Sequence, residues 1–183
     1  RRNGWAVRLA SWDPLPIDVA RSQLGKRVLP HTDTAAALIE QLDLAPHPEG
    51  GWYRETWRAP SSDGGRAGGT GIMFLLKAGE CSHWHTVDAQ EMWIWQGGDP
   101  LCLRLAAGDD APVHDICLGG DVLVGECLQG LVPTGHWQAA EALPPGEGAH
   151  GYSLVSCIVV PGFDFAGFRL AAPGWEPGCG TAP

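Results

Sequence analysis

Apolar and polar residues alternate with period two along most of this chain, and Gly and Pro interrupt the alternation at roughly 8–12-residue spacing, the signature of many short β-strands in a sandwich or barrel. Trp52–Arg58 reads as one such strand, with Trp52, Arg54, Thr56 and Arg58 on one face and Tyr53, Glu55 and Trp57 on the other. Residues 71–76 form a continuous apolar run of buried-strand type, residues 100–105 alternate cleanly, residues 113–118 add another candidate, and residues 126–132 carry the chain on to Pro133. Tyr152–Val160 is the longest apolar strand. One helix is predicted. Asp33 or Thr34 caps it, residues 35–42 propagate it with Leu38 and Leu42 on one face, and Pro46 and Pro48 stop it. The Gly-rich stretch 61–71 is expected to be a mobile loop. Residues 1–30 lack a clear period and read as an extension, 31–176 as one all-β domain with its short N-terminal helix, and 177–183 as a tail.

The chain has 183 residues, 44% apolar, enough for a single core. Gly 26, Pro 15 and only 18% charged residues favour turns and strands over a helical bundle. A net charge of -9 argues against a nucleic-acid partner. The absence of an eighteen-residue apolar run argues against a membrane-spanning helix. Six cysteines without CxxC spacing suggest buried thiols in a reducing compartment, hence the cytoplasm, and no signal peptide is visible. Nine tryptophans exceed what a small core needs, so several are expected to line a concave surface.

The chemistry concentrates at residues 83–98. His83 and His85 lie two apart, so on a regular strand they share a face. Glu91 and Gly98 follow, and Pro133-x-Gly135 recurs downstream with Gln138 after it. This resembles the two-part cupin pattern, with one extra residue between His85 and Glu91 and with Gln138 where the second motif's histidine belongs. Four blocks narrow the likeness: 44–56, beginning Leu-Ala-Pro-His-Pro-Glu-Gly-Gly, then 84–93, 132–140 and 160–165. Together they resemble the Cupin 5 family, whose activity is not generally established and whose fold is similar to that of dTDP-4-dehydrorhamnose 3,5-epimerase. The resemblance implies a double-stranded β-helix, or cupin jelly-roll barrel, and a homodimer formed through the sheets. The chain departs from the family at Gln90, usually acidic, and at His83, generally not histidine.

Three chemistries fit these residues. His83, His85, Glu91 and Gln138 would surround a divalent ion, with iron, manganese, nickel or zinc suiting two imidazoles and a carboxylate. His85 held by Glu91, with Tyr53 or Tyr152 across the cleft as acid, would serve an epimerase or isomerase acting beside a carbonyl. Alternatively Trp57, Trp93, Trp95 and Trp137 would form an aromatic cup around a flat or sugar-like small molecule. Glu55 and Gln138 would be its polar anchors, without catalysis.

Overall fold

The structure is a computed structural model that describes residues 33–61, 64–142 and 149–180. The predicted extension, residues 1–30, lies outside the described residues, as do residues 181–183 of the tail. Helix α1 (Thr34–Gln41) opens the described chain, with Asp33 as its N-cap accepting from the Ala36 N–H at 2.9 Å. It ends earlier than the prolines require. Asp43 takes φ 53°, a left-handed conformation that stops the helix, and Pro46 then sits in a two-residue strand.

Eleven strands follow among the described residues: β1 (Ala45–Pro46), β2 (Trp52–Arg58), β3 (Thr70–Lys77), β4 (Cys81–Val87), β5 (Gln90–Gly98), β6 (Leu101–Ala106), β7 (His114–Leu118), β8 (Gln129–Val132), β9 (Trp137–Ala142), β10 (Tyr152–Val160) and β11 (Phe168–Leu170). Two antiparallel sheets result, ordered β1-β2-β3-β10-β5-β8 and β11-β4-β9-β6-β7. The expected alternation builds the core between them. Phe74, Leu76, Trp93, Val155 and Cys157 of the first sheet meet Leu101, Leu103, Leu105, Leu118 and Ala140 of the second. This is the jelly-roll arrangement expected of the chain.

Two strands depart from period two, and both departures matter for the site. In β2 the pairing with β3 skips a residue between Glu55 and Trp57, a bulge that leaves Thr56 unpaired. Beyond it the faces are exchanged. Arg58 joins Tyr53 and Glu55 on the inner side, and Trp57, 46% exposed, covers Gly69 and Gly71 from outside. In β4 the pairing with β9 shifts between Ser82 and His85. Ser82 and His85 therefore both point inward and are buried, while His83 is exposed.

The Gly-rich loop before β3 is pinned where it is described. The Arg66 guanidinium makes two bonds to the Asp88 carboxylate, at 2.7 and 3.0 Å, and a third to the Gly162 carbonyl. The cysteines also differ from expectation. Only Cys157 is buried, whereas Cys81 and Cys102 are half-buried and Cys117, Cys127 and Cys179 exposed, because the outer face of the second sheet carries several of them. No helix among the described residues is long and apolar enough to cross a membrane.

Candidate functional site

A cavity of about 640 Å³ opens at the end of the barrel where β2, β3, β4, β5 and β10 converge. Its walls include His47, Glu49, Tyr53, Glu55, Arg58, His85, Glu91 and Cys157. Phe163, Asp164 and Phe165 close one side.

Two of these residues, His47 and Glu49, come from the turn between β1 and β2. Their placement depends on the glycines that follow. Gly50 and Gly51 have φ of 106° and 72°, open to glycine at little cost. A side chain on Gly50 would strike the Cys81 carbonyl. This close approach lets the Glu49 carbonyl accept from the His83 N–H at 2.7 Å, locking the turn onto β4. His47 packs edge-on against Tyr53, with ring centroids 4.5 Å apart.

The bonding pattern assigns protons. His85 Nδ1 lies 2.8 Å from the His83 carbonyl, which can only accept, so Nδ1 carries hydrogen. In the neutral ring Nε2 is then bare, and it faces Glu49 Oε2 at 3.3 Å. His47 Nδ1 accepts from the Glu49 N–H at 3.4 Å and is also bare, yet it too lies 3.3 Å from the same carboxyl oxygen. An ionised carboxylate between two bare ring nitrogens would be repelled by both. One proton must sit on this oxygen or on the His85 nitrogen facing it. The Glu49 Oε1 accepts from the Ser82 hydroxyl at 3.0 Å.

Burial dominates the acidities. It pushes the Glu49 carboxyl up to about 8, although the Ser82 hydroxyl favours the charged form. It lowers His47 to about 4, with His85 acting in the same direction. It lowers His85 as well, opposed by the Glu91 charge and by the bond to the His83 carbonyl. Near neutrality the contacts of Glu49 are thus hydrogen bonds between uncharged groups, although their distances would also suit ion pairs. Of the two placements that the bare ring nitrogens allow, burial favours the one on Glu49.

Glu91 lies on β5 and is buried. Burial raises it to about 7. The His85 ring pulls it down, Glu49 pushes it up, and hydrogen bonds from Gln138 and Cys157 favour its charged form. Gln138 is fully buried. Its amide donates to Glu91 Oε2 at 2.6 Å, and its carbonyl accepts from the Trp93 indole N–H at 2.9 Å.

The structure therefore gathers His85, Glu91, Tyr53 and Glu55 of the predicted residues around one cavity. It does not gather the others. The β4 bulge turns His83 outward, so the pair of histidines on one face is not formed. Gln138 stands behind Glu91 and positions it. Trp93 is a core residue packed edge-on against Phe74, with ring centroids 5.6 Å apart. Trp95 packs against the core and over Gly120, and its indole lies 3.4 Å from the Asp99 carbonyl. Trp137 lies with Trp84 and Trp175 in a separate cluster of buried residues, its indole bonded to Asp109 at 2.7 Å. Trp57 is outside. None of these four tryptophans lines the cavity, because the inward positions of these strands serve the core. Tyr152 pairs with Lys77, at the far end of β10 from the Glu91 level. His47, Glu49 and Arg58 were not singled out by period; the signal for the first two was the His-Pro-Glu-Gly-Gly turn, which sets two ionisable groups before a glycine pair, and Arg58 reaches the inner face through the β2 bulge.

The metal set fares poorly on donor chemistry. His83 is outside, and the Gln138 oxygen is bonded to Trp93, so only His85 and Glu91 of the four remain on the cavity. Among the described residues no group of three or more His, Cys, Asp and Glu side chains is arranged to hold a metal ion. The predicted donors do not fit a metal.

A family profile, Cupin superfamily (DUF985), Cupin 5, matches residues 36–171. The chain belongs to this family. An uncharacterized Saccharomyces cerevisiae protein is 32% identical over 144 residues, 70% of each chain. Two solved structures resemble this cupin along most of their length. A hypothetical protein from Leishmania major is 35% identical and has a TM-score of 0.69, covering 78% of this chain and 90% of its own. A Shewanella oneidensis protein is 36% identical, with a TM-score of 0.68 and coverage of 75% and 84%. The Staphylococcus aureus capsular polysaccharide assembling protein CapF, at 16% identity and a TM-score of 0.51 over 69% of this chain and 33% of its own, shares the fold alone.

Proposed function

We propose that this cupin binds a small uncharged polar molecule, sugar-like in size and functionality, and moves a proton beside its carbonyl group, as an epimerase or isomerase does. The observation that carries the reading is the Glu49 carboxyl oxygen set 3.3 Å from a nitrogen of each of two imidazoles, on the wall of a cavity large enough for a monosaccharide. Protonated Glu49 supplies an acid, and Glu91, raised to about 7, or the bare His85 Nε2 supplies a base. Tyr53 offers a hydroxyl on the same cavity. Arg58 is the one Arg or Lys among the described lining residues, and both carboxylate oxygens of Glu55 bond it, at 2.8 and 2.6 Å. That neutralised cation favours uncharged over phosphorylated compounds.

The reading is tested by incubating the protein with a panel of neutral aldoses and ketoses in deuterium oxide. Proton NMR then follows exchange of the hydrogen on the carbon next to the carbonyl. Exchange by the wild type that Glu49→Gln and Tyr53→Phe reduce supports proton transfer. Saturable binding without exchange of any compound would instead support a non-catalytic binding protein. Neither exchange nor binding across the panel would overturn both.

A further inference from the structure

The outer face of the second sheet carries a row of residues that the cavity does not use. Across β4, β9, β6 and β7 the register sets Cys81 opposite Glu141, Glu141 opposite Cys102, and Cys102 opposite Cys117. The last pair has a particular geometry. The Cys117 carbonyl accepts from the Cys127 N–H at 2.8 Å, so the Cys117 peptide groups point away from β6. In an antiparallel ladder Cys102 and Cys117 are then a non-hydrogen-bonded pair, whose Cα atoms lie about 4.5 Å apart with side chains on the same face. A disulfide needs Cα atoms about 4.4–6.8 Å apart. Cys117 is exposed and Cys102 half-buried, so a small reagent can reach them. Cys127 is in register with Leu118 rather than Cys117, so the residue directly opposite Cys117 is Cys102.

We propose that Cys102 and Cys117 are a cross-strand dithiol, a modification site that a low-molecular-weight disulfide closes into a bond stapling the edge strand β7 to β6. The Cys117 thiolate attacks one sulfur of the reagent and expels the other half as a thiol. The Cys102 thiolate then attacks Cys117 sulfur in the mixed disulfide and expels the second half. Two protein thiols are oxidised, and one reagent disulfide is reduced to two thiols. Charges around the pair decide which reagent works. Burial raises both thiols; Asp115 on β7 and Glu141 on β9 add to it at Cys102, Glu126 after β7 and Cys127 add to it at Cys117, and Arg104 on β6 lowers Cys102. A cationic disulfide is therefore the suitable partner.

The test treats the full chain with cystamine, blocks remaining thiols with N-ethylmaleimide, and maps tryptic peptides without reduction. Cleavage after Arg104 separates Cys102 from Cys117, so their bond joins two otherwise separate peptides. The expected result is that joined pair, persisting in Cys127→Ser and lost in Cys117→Ser. A link that disappears in Cys127→Ser, a Cys117–Cys127 bond in place of it, or mixed disulfides with no internal bond at either cysteine would overturn the proposal.

Discussion

Replacing Glu49 by Gln should flatten the response of stability to alkali. Glutamine keeps the shape of the protonated acid, with an oxygen to accept from Ser82 and an amide to donate to a bare imidazole nitrogen. It removes only the titration. For Glu49 the folded-state value of about 8 stands above the ordinary 4.5. The proton is therefore favoured by the fold, the stabilisation it brings is complete below pH 4.5, and it is lost as pH rises to about 8. Each unit is worth about 1.36 kcal/mol, so the loss reaches about 2 kcal/mol at pH 6 and on the order of 5 kcal/mol by pH 9. Between those two pH values Glu49 accounts for about 3 kcal/mol.

Its neighbours nearly cancel over the same window. Glu91, raised to about 7, loses about 1 kcal/mol more from pH 6 to 9. His47, lowered to about 4 from 6.5, works in the opposite direction. Its unfolded form binds the extra proton, so stability is gained as pH climbs to 6.5, by about 1 kcal/mol above pH 6. Urea unfolding of wild type and Glu49→Gln at pH 6 and pH 9, followed by tryptophan fluorescence, reads the difference. The wild type should lose about 3 kcal/mol and the variant less than about 1. Parallel losses in the two proteins would refute the assignment of the proton to the Glu49 site.

Four further outcomes are expected. Gln138→Leu strands two buried partners, the Trp93 N–H and the Glu91 carboxylate, and should cost about 2–6 kcal/mol, a fall in Tm of roughly 5–20 °C, by calorimetry. Tyr53→Phe should leave Tm nearly unchanged but reduce proton exchange by about 10²-fold, measured by NMR. Gly50→Ala, which drives a methyl into the Cys81 carbonyl at a φ of 106°, should destabilise by more than about 1 kcal/mol in urea and reduce exchange by releasing Glu49. If the expected homodimer uses the outer face of the first sheet, where Leu131 is 47% exposed beside Met92, Leu131→Glu should yield monomers in sedimentation equilibrium.

Much of the architecture was legible because period two is a direct consequence of strand geometry. Trp52–Arg58 and Tyr152–Val160 have the bounds that alternation and Gly or Pro punctuation suggest, and α1 begins at its predicted cap. Membership of the family was legible in four short blocks. The placement of tryptophans was not. A tryptophan facing the interior looks the same in sequence whether it meets another side chain or an open cavity, and Trp93 meets Phe74 and Gln138. Exposure of Cys117 was equally hidden, since its apolar neighbour Leu118 points to the core.

The candidate site depends on the places where alternation fails. Without the extra residue in β2, Arg58 would point outward and Glu55 would face the cavity as an unpaired anion. Without the shift in β4, Ser82 would not share the inner face with His85, and Glu49 would lose either its hydroxyl donor or its imidazole partner. A bulge costs ladder pairing and re-aims the side chains beyond it, so the β4 bulge brings Ser82 and His85 to the Glu49 carboxyl and the β2 bulge brings Arg58 to Glu55. The His-Pro-Glu-Gly-Gly turn supplies that carboxyl, and its glycines permit the approach to β4 that no residue with a side chain would allow at Gly50. The β4 bulge and the turn act on the same carboxyl of Glu49, Ser82 on Oε1 and the two imidazoles on Oε2, which makes proton placement, rather than aromatic stacking or the predicted metal set, the chemistry that these local deviations serve.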